Sequence, residues 1–246
     1  MVVIAHVSDL HLDGSERNGQ RAERVMAYLN GLATPPDAIL VTGDIADHGE
    51  PAEYEQARKV LSSPHPVLTC PGNHDRRAPY AETLLGRPGT GEPINDVYET
   101  PEAVFALCDS TIPGRDDGLL ADETIEWLGS VLTRTPADTP VFVCFHHPPV
   151  ILHAPFIDRI RQRGEQRLAG LLARHPHVVG VLCGHAHTPA ATTFAGRPLL
   201  VAPGVVSTLT LPWEHGDVLD YSLPPAVAFH ILDGDRRLTT HFRVLV

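Results

Sequence analysis

Short blocks of metal-capable side chains recur along this chain, each at the end of an apolar run: Asp9-Leu10-His11, Gly43-Asp44, Gly72-Asn73-His74-Asp75, His146-His147-Pro148 and Gly184-His185-Ala186-His187. The preceding runs, Val2 to Val7, Ala38 to Val41, Val67 to Thr69, Val141 to Phe145 and Val178 to Cys183, are short and apolar and read as buried strands. In open α/β sheets, functional side chains collect where loops leave the carboxyl ends of strands. A fold that brings these ends together brings carboxylates and imidazoles together, and burying so many without an ion leaves polar groups uncompensated.

Amphipathic stretches separate the strands. Val25, Leu29 and Leu32 fall at helical spacing, and a second helix is predicted from Ala52 to Leu61. Alternation of strand and helix predicts βαβ crossovers and the α/β class. In the middle, Val97–Glu99 and Ala103–Leu107 flank Thr100-Pro101-Glu102 and read as a hairpin. A helix follows from Asp122, read as its N-cap, to about Leu132, and a continuous helical period covers Arg159 to Ala173. Arg197–Ala202, Ala226–Leu232 and Leu238–Val244 read as antiparallel strands. With 246 residues, 43% of them hydrophobic, and no Pro/Gly/Ser-rich linker, residues 1–246 are expected to form one domain.

The 30 acidic residues outnumber the 19 basic ones, giving a formal charge of −11. That sign disfavours a nucleic-acid polymer as partner. Met1-Val2-Val3-Ile4-Ala5 leads directly into a strand without a basic segment or cleavage site, and no apolar run approaches membrane-spanning length, so a cytoplasmic location without membrane association is expected. Cys70, Cys108, Cys144 and Cys183 are widely spaced in apolar strands and read as buried, reduced thiols.

Asp9 and His11 are two residues apart, so an extended backbone would project both the same way, and His185 and His187 repeat the spacing. A hard oxygen beside an imidazole nitrogen suits Zn, Mn or Fe better than Ca or Mg. Gly43, Gly72 and Gly184 adjoin the blocks, where a missing side chain permits a sharp turn.

The order D-x-H, G-D, G-N-H-[DE], H, G-H-x-H resembles the calcineurin-like metallophosphoesterase superfamily from about Ile4 to at least Pro203. Thr42–Gly49 followed by Tyr54, Cys108–Gly114, and Gly118-Leu119-Leu120 leading to Trp127-Leu128 look like its class III branch of cyclic-nucleotide and glycerophosphodiester phosphodiesterases. The resemblance implies a four-layer α/β/β/α sandwich and a binuclear centre of two transition-metal ions, Fe, Mn or Zn. It implies Asp9, His11 and His187 on one ion, Asn73, His146 and His185 on the other, and Asp44 bridging them. It also implies hydrolysis by a metal-bridging hydroxide, with His74 over the substrate phosphate and Asn73 beside it; because an alkoxide leaves poorly, His74 is expected to contact the phosphate and protonate the leaving group, the alternative being a histidine that only supports the metal ligands. The expected substrate is a small phosphodiester, foremost a 3′,5′-cyclic nucleotide such as cyclic AMP. Glycerophosphodiesters and 2′,3′-cyclic nucleotides are the alternatives, and a non-catalytic metal-binding scaffold is the alternative of another class. A homodimer stays open.

The remaining candidates carry weaker expectations. His147 should point away from the ligand it follows, and either supports the ligands from behind or has no part in the site; Asp47 and Asp75 either orient ligand loops or only make turns, and Arg76 and Arg77 read as solvated. The other histidines, His6, His48 and His230 among them, read as surface or hydrogen-bonded core. The loops Asp109–Gly118, Pro148–Arg161 and Thr208–Tyr221 are expected to wall the site, and a chain ending soon after its last hairpin leaves no room for a large cap.

Overall fold

In the computed structural model, which describes residues 1–246, the run Val2–Val7 forms strand β1, buried at every position but Val3. There follow α1 (Glu16–Asn30), β2 (Ala38–Thr42), α2 (Pro51–Val60), β3 (Val67–Cys70) and a short α3 (Arg77–Pro79) continued by a wider helical turn over Tyr80–Leu84. Next come β4 (Asp96–Glu99), β5 (Val104–Leu107), β6 (Gly118–Leu119), α4 (Asp122–Arg134), β7 (Val141–Cys144), α5 (Pro155–Arg159), β8 (Gln162–Arg163), α6 (Glu165–Ala173) and β9 (Val178–Cys183). The chain closes through β10 (Ala190–Phe194), β11 (Arg197–Val201), β12 (Thr208–Leu209), β13 (Leu219–Asp220), β14 (Ala226–Leu232) and β15 (Leu238–Val244).

Two sheets result. One has the order β15-β14-β1-β2-β3 and the other β10-β11-β9-β7-β5-β4, with β6-β8 and β12-β13 as small separate ribbons. β1, β2 and β3 are parallel, as are β5, β7, β9 and β11. The period of two along each strand fills three apolar interfaces. Ile4, Leu40 and Leu68 meet Phe105, Phe142 and Leu182 between the sheets. Ala5 and Val41 face Val25 and Leu29 of α1 and Tyr54 of α2, while Val143 and Val181 face Leu128 of α4 and Leu168 of α6. Three interfaces make four layers, α/β/β/α, as the resemblance implied. Phe105 and Phe142 stack at 5.4 Å in the central layer, where truncating either to Ala costs roughly 3–5 kcal/mol.

Local signals fix the helix starts. Ser15 accepts the Asn18 N–H at the head of α1, and Pro51 opens α2 beside a reciprocal Glu50/Glu53 capping box. α4 differs from expectation: Ala121 is its N-cap and Asp122 its first helical residue, where the carboxylate still offsets the positive end of the helix and engages Arg167. The helix predicted from Arg159 to Ala173 is divided, because the chain extends at Gln162–Arg163 to pair with Gly118–Leu119 and then turns at Gly164, whose φ is +66°. The Arg197 strand is antiparallel to β10 and parallel to β9, so only one side matches the antiparallel reading. β10 is exposed over Ala191–Thr193 and lacks the apolar pattern that marks the other strands. No helix is long and apolar enough to cross a membrane.

Candidate metal centre

The parallel strands β1, β2 and β3 deliver the Asp9, Asp44 and Asn73 blocks side by side, and β7 and β9 deliver the His146 and His185 blocks from the other sheet. The two sets are tied across the sandwich. Nδ1 of His146 donates to the Thr42 carbonyl at 2.6 Å, and the His185 N–H donates to Asp9 Oδ2 at 3.2 Å. Gly184 permits this approach, since a Cβ there would stand 1.9 Å from Ser8 Oγ and 2.5 Å from the Thr42 carbonyl oxygen.

The ligand-block backbone departs from expectation. Asp9, His11, Asp44, His185 and His187 have φ of 58°, 40°, 48°, 68° and 53°, so the chain curls through the left-handed region instead of running extended. Spacing by two does not aim Asp9 and His11; tight turns at the strand ends do. Non-glycine residues held this way cost on the order of 1–3 kcal/mol each and concentrate at functional sites. The Asp9 N–H donates to the Gly43 carbonyl and the His11 N–H to that of Asp44, which pins one turn on the next.

The side chains converge on one another with nitrogens and carboxylate oxygens facing inward. His146 uses its Nδ1 proton on Thr42, leaving Nε2 3.2 Å from Asp44 Oδ2 and 3.1 Å from His185 Nδ1. His11 donates Nδ1–H to Asp47 Oδ1 at 2.8 Å, leaving Nε2 3.3 Å from His187 Nε2 and 3.6 Å from Asp44 Oδ2. Nδ1 of His187 bonds Ser207 Oγ at 2.7 Å, and its Nε2 lies 3.4 Å from Asp9 Oδ1. Asp9 Oδ1, Asn73 Oδ1 and His185 Nε2 are buried without a hydrogen-bond partner. Buried carboxylate, amide and imidazole atoms left without a partner are costly unless a cation compensates them, so this donor set suits metal ions. Asp9/His11/His187 and Asp9/Asp44/His146 each bring their ligand atoms within 4.8 Å of one another. Asp44 adjoins both halves, through His11 and through His146.

Protonation follows the same charges. Burial holds His185 and His187 below the usual imidazole range, which keeps their lone pairs available. Burial also opposes charge on His146, but the Asp44 and Asp9 carboxylates outweigh it and raise the group to about 9. His11 is raised for a similar reason, burial being overcome by its bond to Asp47 and the nearby carboxylates.

The surrounding residues settle several open readings. Asp75 accepts the N–H groups of Gly72, Ile45 and Ala46 and the Tyr54 hydroxyl, thereby locking two ligand turns together; burial, then the Asp44 charge, raise it to about 6. Asp47 orients His11. His147 takes the supporting position: its ring packs 4.9 Å from that of His146 and 4.6 Å from that of His185, while its nitrogens turn to Ser110 Oγ and the Asp116 carbonyl. Arg76 pairs with Glu50 at the surface, but Arg77 is largely enclosed, bonded to Asp109 and the Thr111 carbonyl. Ser207 escaped sequence reading because a serine in a loop after an apolar strand carries no signal of its own.

A cleft of roughly 390 Å³ opens over the centre, bounded by His11, Asp44, Asn73, His74, His185 and His187. All three predicted wall loops contribute, through Asp116, Phe156 and Tyr221 among others. His74 stands at the rim, its N–H donating to Asp44 Oδ1 and its Nδ1–H to the Asp47 carbonyl at 2.7 Å, which leaves Nε2 as its remaining ring nitrogen.

Residues 2–189 match the family described as calcineurin-like phosphoesterase. The chain belongs to that family. Among its relatives are the glycerophosphodiester phosphodiesterase GpdQ of Enterobacter lignolyticus, 34% identical over 96% of this chain and 88% of the relative, and a cAMP/cGMP dual specificity phosphodiesterase of Mycobacterium tuberculosis, 31% identical over 85% and 69%. A dimetal phosphatase from Danio rerio shares the fold with a TM-score of 0.75 at 14% identity, covering 100% of this chain and 96% of that one. This calcineurin-like phosphoesterase thus matches its curated relatives over most of their length.

Proposed function

We propose that this protein is a binuclear metal-dependent phosphodiesterase hydrolysing small phosphodiesters, 3′,5′-cyclic nucleotides such as cyclic AMP foremost, to nucleoside 5′-monophosphates. The observation that carries the reading is the buried set of carboxylates and imidazoles centred on Asp44 between His11 and His146, in which Asp9 Oδ1, Asn73 Oδ1 and His185 Nε2 have no hydrogen-bond partner. In this assignment Asp9, His11 and His187 hold one ion, Asn73, His146 and His185 the other, and Asp44 both. Two bound ions of Fe, Mn or Zn would supply positive charge beside the phosphate and lower the pKa of water.

The chain's own groups do the rest. The Asn73 amide, at the edge of the cleft, can donate to a phosphate oxygen. His74 keeps Nδ1–H on the Asp47 carbonyl, so a second proton on Nε2 is aimed for delivery to the departing alkoxide oxygen, the step that most needs an acid. Asp47 Oδ1 also lies 3.6 Å from His74 Nδ1, beside the bond that fixes the ring. Similarity to GpdQ supports glycerophosphodiesters as the second reading. A side-by-side turnover screen of 3′,5′- and 2′,3′-cyclic nucleotides, glycerophosphodiesters and a monoester on metal-loaded protein tests both. No turnover of any diester by protein that carries two ions per chain leaves a metal-binding scaffold in its place.

A further inference from the structure

The cleft over the metal centre is lined by two chemically distinct sets of residues. One is the imidazoles and carboxylates already described, and the other is the apolar group Phe156, Ile157, Ile160, Leu219 and Tyr221. This group is built, not incidental. Ile157 is buried in the core beneath the second sheet and anchors α5, and Ile160, just past the end of that helix, packs against the same core, so both line the cleft beside the exposed Phe156. Leu219 is fixed by its pairing with Leu209 in the β12-β13 ribbon. Tyr221, two residues further on, is clamped to α1: Arg17 donates to its carbonyl and to that of Val206 and lies 5.3 Å from its ring centre. Arg21 of the same helix holds the carbonyls of Val205 and Leu223.

Phe156 and Tyr221 nevertheless remain 45% and 53% exposed. Large exposed rings lining the same cleft as the polar catalytic residues, one of them backed by Arg17, are arranged for a flat apolar surface to cover them. The hydrocarbon side chains of Phe156, Ile157, Ile160 and Leu219 offer no hydrogen-bond partner to the hydroxyls of a glycerol group. We propose that Phe156 and Tyr221, backed by Ile157, Ile160 and Leu219, form a nucleobase subsite that selects nucleotide diesters over glycerol diesters. The inference rests on the phosphodiesterase reading for its substrate, but its binding consequence can be measured apart from turnover.

The test combines selectivity with product binding. For Phe156→Ser and Tyr221→Ser, the ratio of kcat/KM for 3′,5′-cyclic AMP to that for bis(glycerol) phosphate should fall roughly tenfold or more, the scale of one base–aromatic stack, and the fall should lie in KM. Tyr221→Phe should preserve the ratio. In calorimetric titrations, metal-loaded wild type should bind adenosine 5′-monophosphate more tightly than ribose 5′-phosphate, and the serine variants should lose that margin. Equal binding of the two ligands by wild type, or a ratio unmoved by both serine substitutions, overturns the subsite. An absence of diester turnover alongside a retained adenosine margin instead rejects the enzymatic reading and leaves the base site standing.

Discussion

His146 and Asp44 meet from opposite sheets with Nε2 and Oδ2 3.2 Å apart, while the Nδ1 proton of His146 is committed to the Thr42 carbonyl. In the metal-free protein a second proton on Nε2 turns this contact into a buried ion pair. With an ion present the same two atoms are donors to it. One pair of side chains therefore gives opposite pH responses in the two forms.

A histidine raised from 6.5 to about 9 on folding contributes stability that is complete below the lower value and lost as pH rises through the upper one. Metal-free protein should thus lose thermal stability from pH 6.5 to about 8.5, above which thiol ionisation adds to the slope. Metal binding requires unprotonated imidazole, so the increase in Tm on adding Mn or Zn should grow over the same interval. Thermal scans of chelated and loaded protein check this, and His146→Gln should flatten the metal-free slope. A metal-free Tm that rises across the interval contradicts the assignment.

Asp44→Ala removes the carboxylate that stands between His11 and His146. Elemental analysis should find wild type near two metals per chain and the variant well below that, with diester hydrolysis abolished. A variant that keeps full activity rules out a bridging role.

Much of this arrangement was legible in the sequence because strand-end chemistry is local. Apolar runs followed by Asp, His and Gly marked β1, β2, β3, β7 and β9, and their cross-sheet convergence brings the named residues to one place. What stayed illegible depends on partners distant in the chain. The left-handed turns at Asp9 and His187 arise from pairing with the Gly43 loop and the Ser207 loop, and the break between α5 and α6 arises from a strand some 45 residues upstream, Gly118–Leu119. Arg77 reads as a surface cation until Asp109, 32 residues on, is seen to enclose it.

Gly184→Ala should be destabilising by roughly 1–3 kcal/mol or more, the range for an overpacked core, because the new methyl would overlap Ser8 Oγ and the Thr42 carbonyl. Adding Ser8→Gly should recover only part of the loss, since the second obstacle is backbone. Urea titrations of the three proteins measure both effects. An unchanged midpoint for Gly184→Ala would mean that the sheets approach less closely at this point.

His74→Ala should retain its metals yet lose roughly 10²–10⁴-fold in turnover of an alkyl diester, the usual contribution of a general acid. The loss should shrink for a nitrophenyl leaving group, which departs without protonation. Equal losses on the two substrates would leave His74 as a phosphate contact only.

Substrate charge follows from the basic residues that the cleft lacks. A diester carries one negative charge and a monoester close to two, so preference for a monoester benefits from cationic side chains beyond the metals. Arg76 and Arg77 are the only basic pair beside a ligand block, and the structure engages them with Glu50 and Asp109. The cleft contributes Asp13, Asp47 and Asp116 instead, which repel the second charge. Bis-aryl and cyclic diesters should therefore show higher kcat/KM than the corresponding monoesters, with 3′,5′-cyclic AMP among the substrates turned over. Steady-state kinetics on matched pairs decide it, and a monoester hydrolysed faster than every diester would make the protein a phosphatase.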